Sequence, residues 1–276
     1  MRVGLVQMCS SDNPSENLLT AKRAIADAKQ QGASFVLTPE VTNCVSASRT
    51  HQAQVLKPEA EDTTLAALRE TAADLNIWLL IGSLALKSEK DDRFVNRCFL
   101  IAPDGNIAAR YDKLHMFDVQ LSETETYRES DGYRAGEEAV VANVDAALVG
   151  LSICYDLRFP YLYRDLAKAG AQILTAPSAF SPETGPAHWE PLLKARAIET
   201  GSFVLAPAQT GQHTASRGRA RQTWGHSLVI DPWGQVLADC GELPGVKVID
   251  LALTQVEDVR RRLPSLSHDK SYKGPV

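Results

Sequence analysis

The chain has 276 residues, a formal net charge of -5, 44% hydrophobic and 23% charged residues. This composition is that of an ordinary globular protein. It is too apolar for a disordered chain and too acidic for a general nucleic-acid binder, which needs a basic face for phosphate contacts. The length suits one large domain or two small ones, and no Ser/Gly/Pro-rich linker divides it, so a single domain over 1–276 is expected.

In chain order, Val3 to Met8 reads as a short buried strand, too short for the apolar core of an export signal. Pro14 and Ser15 open a helix with Leu18, Leu19, Ala21, Ile25, Ala26 and Ala28 as its apolar face, and Gly32 ends it. Ser34 to Leu37 is a second strand. Leu65, Leu68, Ala72 and Leu75 mark another helix, and Ile77 to Leu86 another strand. Phe94 to Ala102, a Pro-Asp-Gly turn at 103–105 and Ile107 to Tyr111 form a hairpin signal. Ser227 to Asp231, Pro232-Trp233-Gly234 and Gln235 to Ala238 form a second one. The polar stretch 120–138 and the Arg-rich stretch 212–222 read as loops. No apolar run approaches the roughly 20 residues that span a bilayer, so no membrane association is expected.

An internal echo links the two halves. Gly4-Leu5-Val6-Gln7-Met8, a helix and the segment 32–40 match Gly150-Leu151-Ser152-Ile153-Cys154, a helix and the segment 170–178. Each half is a strand–helix–strand unit with Gly-Ala before the second strand and a proline turn after it. Parallel βαβ pairs together with hairpins predict mixed sheets with helices on their faces. In open α/β sheets the carboxyl ends of the strands bind ligands.

Five cysteines, at 9, 44, 98, 154 and 240, show no Cys-x-x-Cys spacing. They predict a reducing, cytoplasmic compartment without a disulfide framework, with at least one working thiol. Phosphate-loop, dinucleotide and serine-elbow motifs are absent, and the histidines lack metal-ligand spacing. No metal or cofactor is therefore expected.

Three strand-end segments carry chemistry: Val36-Leu37-Thr38-Pro39-Glu40, the stretch from Tyr111 to Asp118 around Lys113, and Leu151 to Pro160 around Cys154. Each has a plain reading on its own, as a solvated carboxylate, an ion-paired lysine and a small core residue. Together they suffice for acyl transfer. A thiol needs deprotonation before attack, a carboxylate can act as the base, and an ammonium can hold the oxyanion.

In their order and spacing these segments resemble the nitrilase, or carbon–nitrogen hydrolase, superfamily over nearly the whole chain. The resemblance implies a four-layer αββα sandwich and a catalytic Glu40, Lys113 and Cys154. It implies a further glutamate at Glu129, within Tyr127-Arg128-Glu129-Ser130; Glu123 and Glu125 fall outside that motif. Residues 113–119, 127–130, 154–160, 195–203 and 211–238 are similar to the Nit branch. There the extended Arg-containing loop is closest to the deaminated glutathione amidases, with the omega-amidases as sister group. The ending Leu263 to His268 departs from the branch pattern.

The implied substrate is a small-molecule amide, and the implied assembly a homodimer or higher homo-oligomer. Tyr155 would supply an oxyanion-hole N–H and Thr184 would line the pocket. Arg158 reads either as a fork for a substrate carboxylate or as a structural ion pair. Arg217, Arg219 and Arg221 are further carboxylate candidates. Glu129 either orients Lys113 or tunes the charge of the site. A nitrilase, an N-carbamoyl amino acid amidohydrolase and a redox thiol at Cys154 remain as other readings.

Overall fold

The computed structural model describes residues 1–120, 123 and 126–274; Glu125 lies outside them. The short apolar runs become strands buried on both faces, as parallel pairs require. In the first sheet the order is Gly245–Asp250, Arg2–Gln7, Phe35–Leu37, Trp78–Lys87, Phe94–Ile101 and Ile107–Asp112, with Tyr133–Arg134 pairing beside Phe94–Ile101. The second sheet runs Val141–Val144, Ala147–Gly150, Ile173–Thr175, Phe203–Ala206, Leu228–Ile230 and Val236–Asp239.

Along those orders the pairing is the same in both sheets: antiparallel, parallel, parallel, antiparallel, antiparallel. Both closing hairpins also carry a register shift, at Leu100/Ile101 and at Val229/Ile230. The sequence echo is thus a correspondence of strands.

The sheets pack face to face. Leu5, Phe35, Leu37, Leu80 and Leu100 meet Val149, Ile173, Phe203, Leu205 and Val229 in one apolar layer. Helices Pro14–Gln30 and Thr63–Leu75 cover the outer face of the first sheet, with Ala21, Ile25, Ala28, Leu65 and Leu68 against Val36, Leu79, Ile81 and Phe99. Helices Pro160–Lys168 and Gly185–Thr200 cover the second, with Leu162, Leu166, Leu193 and Ala197 against Leu174, Val204 and Ile230. The result is the expected αββα order.

Local signals set the helix ends. Asn13 accepts from the Ser15 N–H ahead of a first-turn proline, Asp62 accepts from the Leu65 N–H, and Asn76 closes its helix in the left-handed region.

Two expectations change. Leu19 is 58% exposed, off the buried face. Asn17 lies on the buried row with Ala21, Ile25 and Ala28, its amide satisfied by the backbones of Ser11 and Asn43. The polar stretches are not plain loops either. Asp118–Gln120 pairs with Thr126–Arg128, and Thr210–Gln212 with Gln222–Trp224. Ladder bonds belong to the backbone, so polar side chains do not report them. Among the described residues no helix is long and apolar enough to cross a membrane.

Candidate active site

The two halves place their proline turns together. Thr38-Pro39 follows the strand Phe35–Leu37 of the first sheet, and Ala176-Pro177 follows Ile173–Thr175 of the second. They meet at Gly82. A Cβ there would lie 2.0 Å from the Thr38 carbonyl oxygen and 2.5 Å from the Pro177 Cβ, so only glycine fits. Beyond this contact the first chain segment delivers Glu40, and the second delivers the Ala179 N–H that donates to Glu40 Oε2 at 2.7 Å. Val41 follows with φ 46, a conformation rare for a β-branched residue. It is held by its N–H to Ser83 Oγ at 2.7 Å.

Cys154 sits four residues past the strand Ala147–Gly150, at the start of a short 3-10 turn, Cys154–Arg158, rather than directly before an α-helix. Its φ is 49. Such strain persists where surrounding structure over-determines it, and here the Cys154 N–H is fixed to the Pro177 carbonyl at 2.9 Å. Lys113 follows the strand Ile107–Asp112, its N–H bonded to the Asn96 carbonyl at 3.0 Å.

Lys113 Nζ lies 3.0 Å from Glu40 Oε1 and 2.9 and 3.0 Å from the two oxygens of Glu129. Glu129 Oε2 also accepts the Phe117 N–H at 2.6 Å, which ties the carboxylate to the lysine's own loop. Cys154 lines the same cavity as Glu40, its thiol near enough that each group shifts the other's ionisation. Glu40 and Lys113 are 4% and 3% exposed, so these charges face one another with little water between them.

The protonation states follow. Burial alone would raise the Glu40 carboxyl; the Lys113 charge, the neighbouring Cys154 thiol and hydrogen bonds from Lys113 and Ala179 overcome it and hold the group below its ordinary value. Burial pushes the Cys154 thiol up, and the Glu40 charge adds to this against the opposing pull of Lys113. Burial would lower Lys113, but the charges of Glu129 and Glu40 raise it well above normal. The resting cluster is therefore carboxylate, ammonium and thiol. A carboxylate able to accept the thiol proton and a fixed cation share its cavity.

Several contributors carried no motif. Asn96 donates to Glu40 Oε1 at 2.8 Å, while its Oδ1 is buried without a partner among the described residues. A lone amide in an apolar strand is the only local sign of it. Asp156 is fully buried. It accepts from Tyr111 Oη at 2.6 Å, the Ile153 N–H at 2.9 Å, the His115 N–H at 3.0 Å and His115 Nδ1 at 2.6 Å. It thereby locks the turn before Cys154 to both sides of Lys113.

A cavity of about 650 Å³ opens on the cluster, within the range of roughly 300–1,000 Å³ for small-ligand sites. Glu40, Lys113, Glu129, Cys154, Tyr155, Arg158 and Thr184 all line it. The Tyr155 N–H has no acceptor among the described residues, whereas its neighbours bond Pro177 and Ile153.

Among the described residues Arg158 has no ion pair. Its guanidinium donates to His188 Nδ1 at 3.2 Å and lies 5.8 and 5.7 Å from the ring centres of Tyr155 and Phe180. Arg219 and Arg221 line the cavity; Arg217 does not.

The remaining cysteines divide. Cys98 is in the inter-sheet core, Cys44 is buried at the cavity wall, Cys240 is half-buried, and Cys9 is exposed rather than a core residue. Among the described residues no group of three or more His, Cys, Asp or Glu side chains is placed to hold a metal ion.

The Carbon-nitrogen hydrolase family model matches residues 2–261. A curated relative, the deaminated glutathione amidase of Yersinia enterocolitica, is 37% identical over 97% of this chain and 92% of its own length. The crystal structure of the C. elegans NitFhit protein superposes with a TM-score of 0.89 at 36% identity; the match covers 98% of this chain and 65% of that longer one. A mutant of the amidase from Nesterenkonia sp. AN1, described with acrylamide added at its active-site cysteine, gives a TM-score of 0.78 at 28% identity over 96% of this chain and 98% of that one. The chain therefore belongs to the carbon–nitrogen hydrolase family and is an enzyme that acts on amides.

Proposed function

We propose that the chain is an amidase that cleaves deaminated glutathione to 2-oxoglutarate and cysteinylglycine through a thioester at Cys154. The observation that carries the chemistry is a left-handed Cys154 in one cavity with a buried Glu40 carboxylate that itself bonds Lys113 at 3.0 Å. The substrate rests on the name of the Yersinia relative and on a cavity lined by several arginines.

Glu40 takes the thiol proton as sulfur attacks the amide carbonyl. The oxyanion is held by Lys113 Nζ and the Tyr155 N–H, a pair of donors each worth on the order of a hundredfold or more in rate. Collapse expels the amine, which receives the proton from Glu40, and leaves the acyl thioester. Water then attacks the thioester, with Glu40 again accepting a proton, and releases the acid and the free thiol. Glu129 keeps Lys113 charged and aimed. Arg158, stacked near Tyr155 and Phe180, binds the 2-oxo acid end of the acyl group, and Thr184 lines its pocket. The reaction needs no metal or cofactor.

The protein acts as one domain over 1–276 in the cytoplasm, as a homodimer or higher oligomer. Unpaired cysteines support the compartment. Exposed Tyr161, Ile198, Trp233 and Leu263 support an interface.

The test is a panel of deaminated glutathione, 2-oxoglutaramate, carbamoyl amino acids and matched nitriles, with Cys154→Ala as control. The highest kcat/KM is expected on deaminated glutathione, with turnover abolished in the control. Equal or better rates on 2-oxoglutaramate would make the enzyme an omega-amidase, and turnover that survives Cys154→Ala would remove the nucleophile.

A further inference from the structure

Six cationic side chains and three carboxylates line the cavity of a chain whose net charge is -5. Three of the cations, Lys113, Arg49 and Arg158, are held by neighbours. Lys113 is held by Glu40 and Glu129. Arg49 donates to the Arg128 carbonyl at 2.6 Å and lies 3.8 Å from Asp131. The charge of Arg128 acts at Asp118, and Arg158 is engaged by His188 and two rings. Arg219 and Arg221 stand two residues apart on one loop and both line the cavity, and among the described residues neither guanidinium makes a hydrogen bond, ion pair or ring contact.

The loop that carries them is built rather than loose. Buried His213 donates from Nδ1 to the Ser10 carbonyl at 2.7 Å and accepts from Thr223 Oγ1 at 2.7 Å. Its N–H bonds the Arg221 carbonyl at 2.8 Å. The Ser216 N–H and hydroxyl both reach Asp12 Oδ2 at 2.7 Å. Gly218 turns with φ 84 against Ser48, which brings the following arginine over the cavity. This wall is distinct from that of Arg158: the charge of Arg221 acts at Tyr133 and His213, whereas Arg158 touches Tyr155, Phe180 and His188.

Two neighbouring guanidinium groups without side-chain partners among the described residues, on a hydrogen-bonded loop that lines an acyl-transfer site, match a second anionic group on the substrate. We propose that Arg219 and Arg221 form a second carboxylate-binding pair that takes the terminal carboxylate of a peptide-like leaving group. The inference rests on the substrate reading above and deepens it. Arg158 reads the acyl end and the arginine loop reads the amine end, so the site is built for N-acyl peptides with a free C-terminus rather than for primary amides that release ammonia. A guanidinium fork suits such a carboxylate because it donates two parallel hydrogen bonds.

The experiment compares kcat/KM on deaminated glutathione with that on its C-terminal glycinamide form, which differs only in the carboxylate. Wild type is expected to favour the acid by about tenfold or more, the worth of a charge-assisted contact. In Arg219→Gln, Arg221→Gln and the double variant the ratio falls towards one. A ratio is independent of how much of each preparation is folded, so loss of active protein does not imitate the effect. A wild-type ratio near one overturns the proposal, as does a ratio that survives the double variant. Wild type that hydrolyses neither form while turning over simple amides or nitriles overturns the substrate reading itself, and the inference with it.

Discussion

Asp156→Asn probes the junction on which the site depends. The native carboxylate is wholly buried and satisfies four donors, on Tyr111, Ile153 and twice on His115. The amide keeps one oxygen, which can still serve His115. Its Nδ2 would then face the Ile153 N–H, donor against donor, while the Tyr111 hydroxyl can turn to accept. One buried N–H is left unsatisfied, at about 1–3 kcal/mol, and the charge-assisted share of the other contacts is lost, for a total of about 2–5 kcal/mol. That is a large part of a typical stability of about 5–15 kcal/mol.

Tyr111→Phe removes one donor and leaves the carboxylate its other three, so its cost should be smaller, about 1–2 kcal/mol. Urea denaturation of both variants measures these differences. The catalytic effect is separable. Ile153 precedes the left-handed Cys154, and displacement of a reacting group by an ångström costs about a hundredfold in rate. Asp156→Asn should therefore lower kcat more than it raises KM, whereas Tyr111→Phe should change kcat far less. Stability of Asp156→Asn within about 0.5 kcal/mol of wild type, together with full kcat, would refute the reasoning.

Gly82→Ala forces a methyl group to within 2.0 Å of the Thr38 carbonyl, so backbone must move at the turn that delivers Glu40. A loss of about 3 kcal/mol or more is expected in thermal denaturation, with a fall in kcat; a silent Gly82→Ala would show that the two turns do not depend on this contact. The pH profile follows from the shifted groups. The depressed Glu40 contributes as a carboxylate above its ordinary value of 4.5 and is lost only as pH falls through its lower folded value. The raised Lys113 contributes below 10.5 and is lost only as pH rises through its higher value. A kcat/KM plateau across that window is expected, and an acid limb centred above 4.5 would contradict the assignment of Glu40 as base.

Much of this was legible in the sequence because the signals are local. Apolar runs of strand length, proline turns, capping residues and hairpin glycines report the backbone within a few residues, and they predicted most of the strands and helices. The echo between residues 4–40 and 150–178 predicted paired halves, and the structure gives both sheets one pairing order. Glu40, Lys113 and Cys154 stood out as chemical residues at the ends of apolar strands. The signal weakened where polarity and burial part company, as at Asn17, which is buried in line with Ala21, Ile25 and Ala28 because it bonds two backbones, while Leu19 lies off that row.

Tertiary structure alone decided who meets whom. The Ala179 N–H lies 139 residues from the carboxylate that it supports, and Asp156 lies 45 residues from the Tyr111 hydroxyl that it receives. His188, not a carboxylate, engages Arg158 from 30 residues away. Of the three loop arginines, Arg219 and Arg221 reach the cavity and Arg217 does not. Periodicity and turn chemistry act between neighbours, so they determined the strands and the residues at their ends. The composition of the site depends on how two sheets close on one another, and that register is set by side chains packing across the interface, which no local pattern encodes.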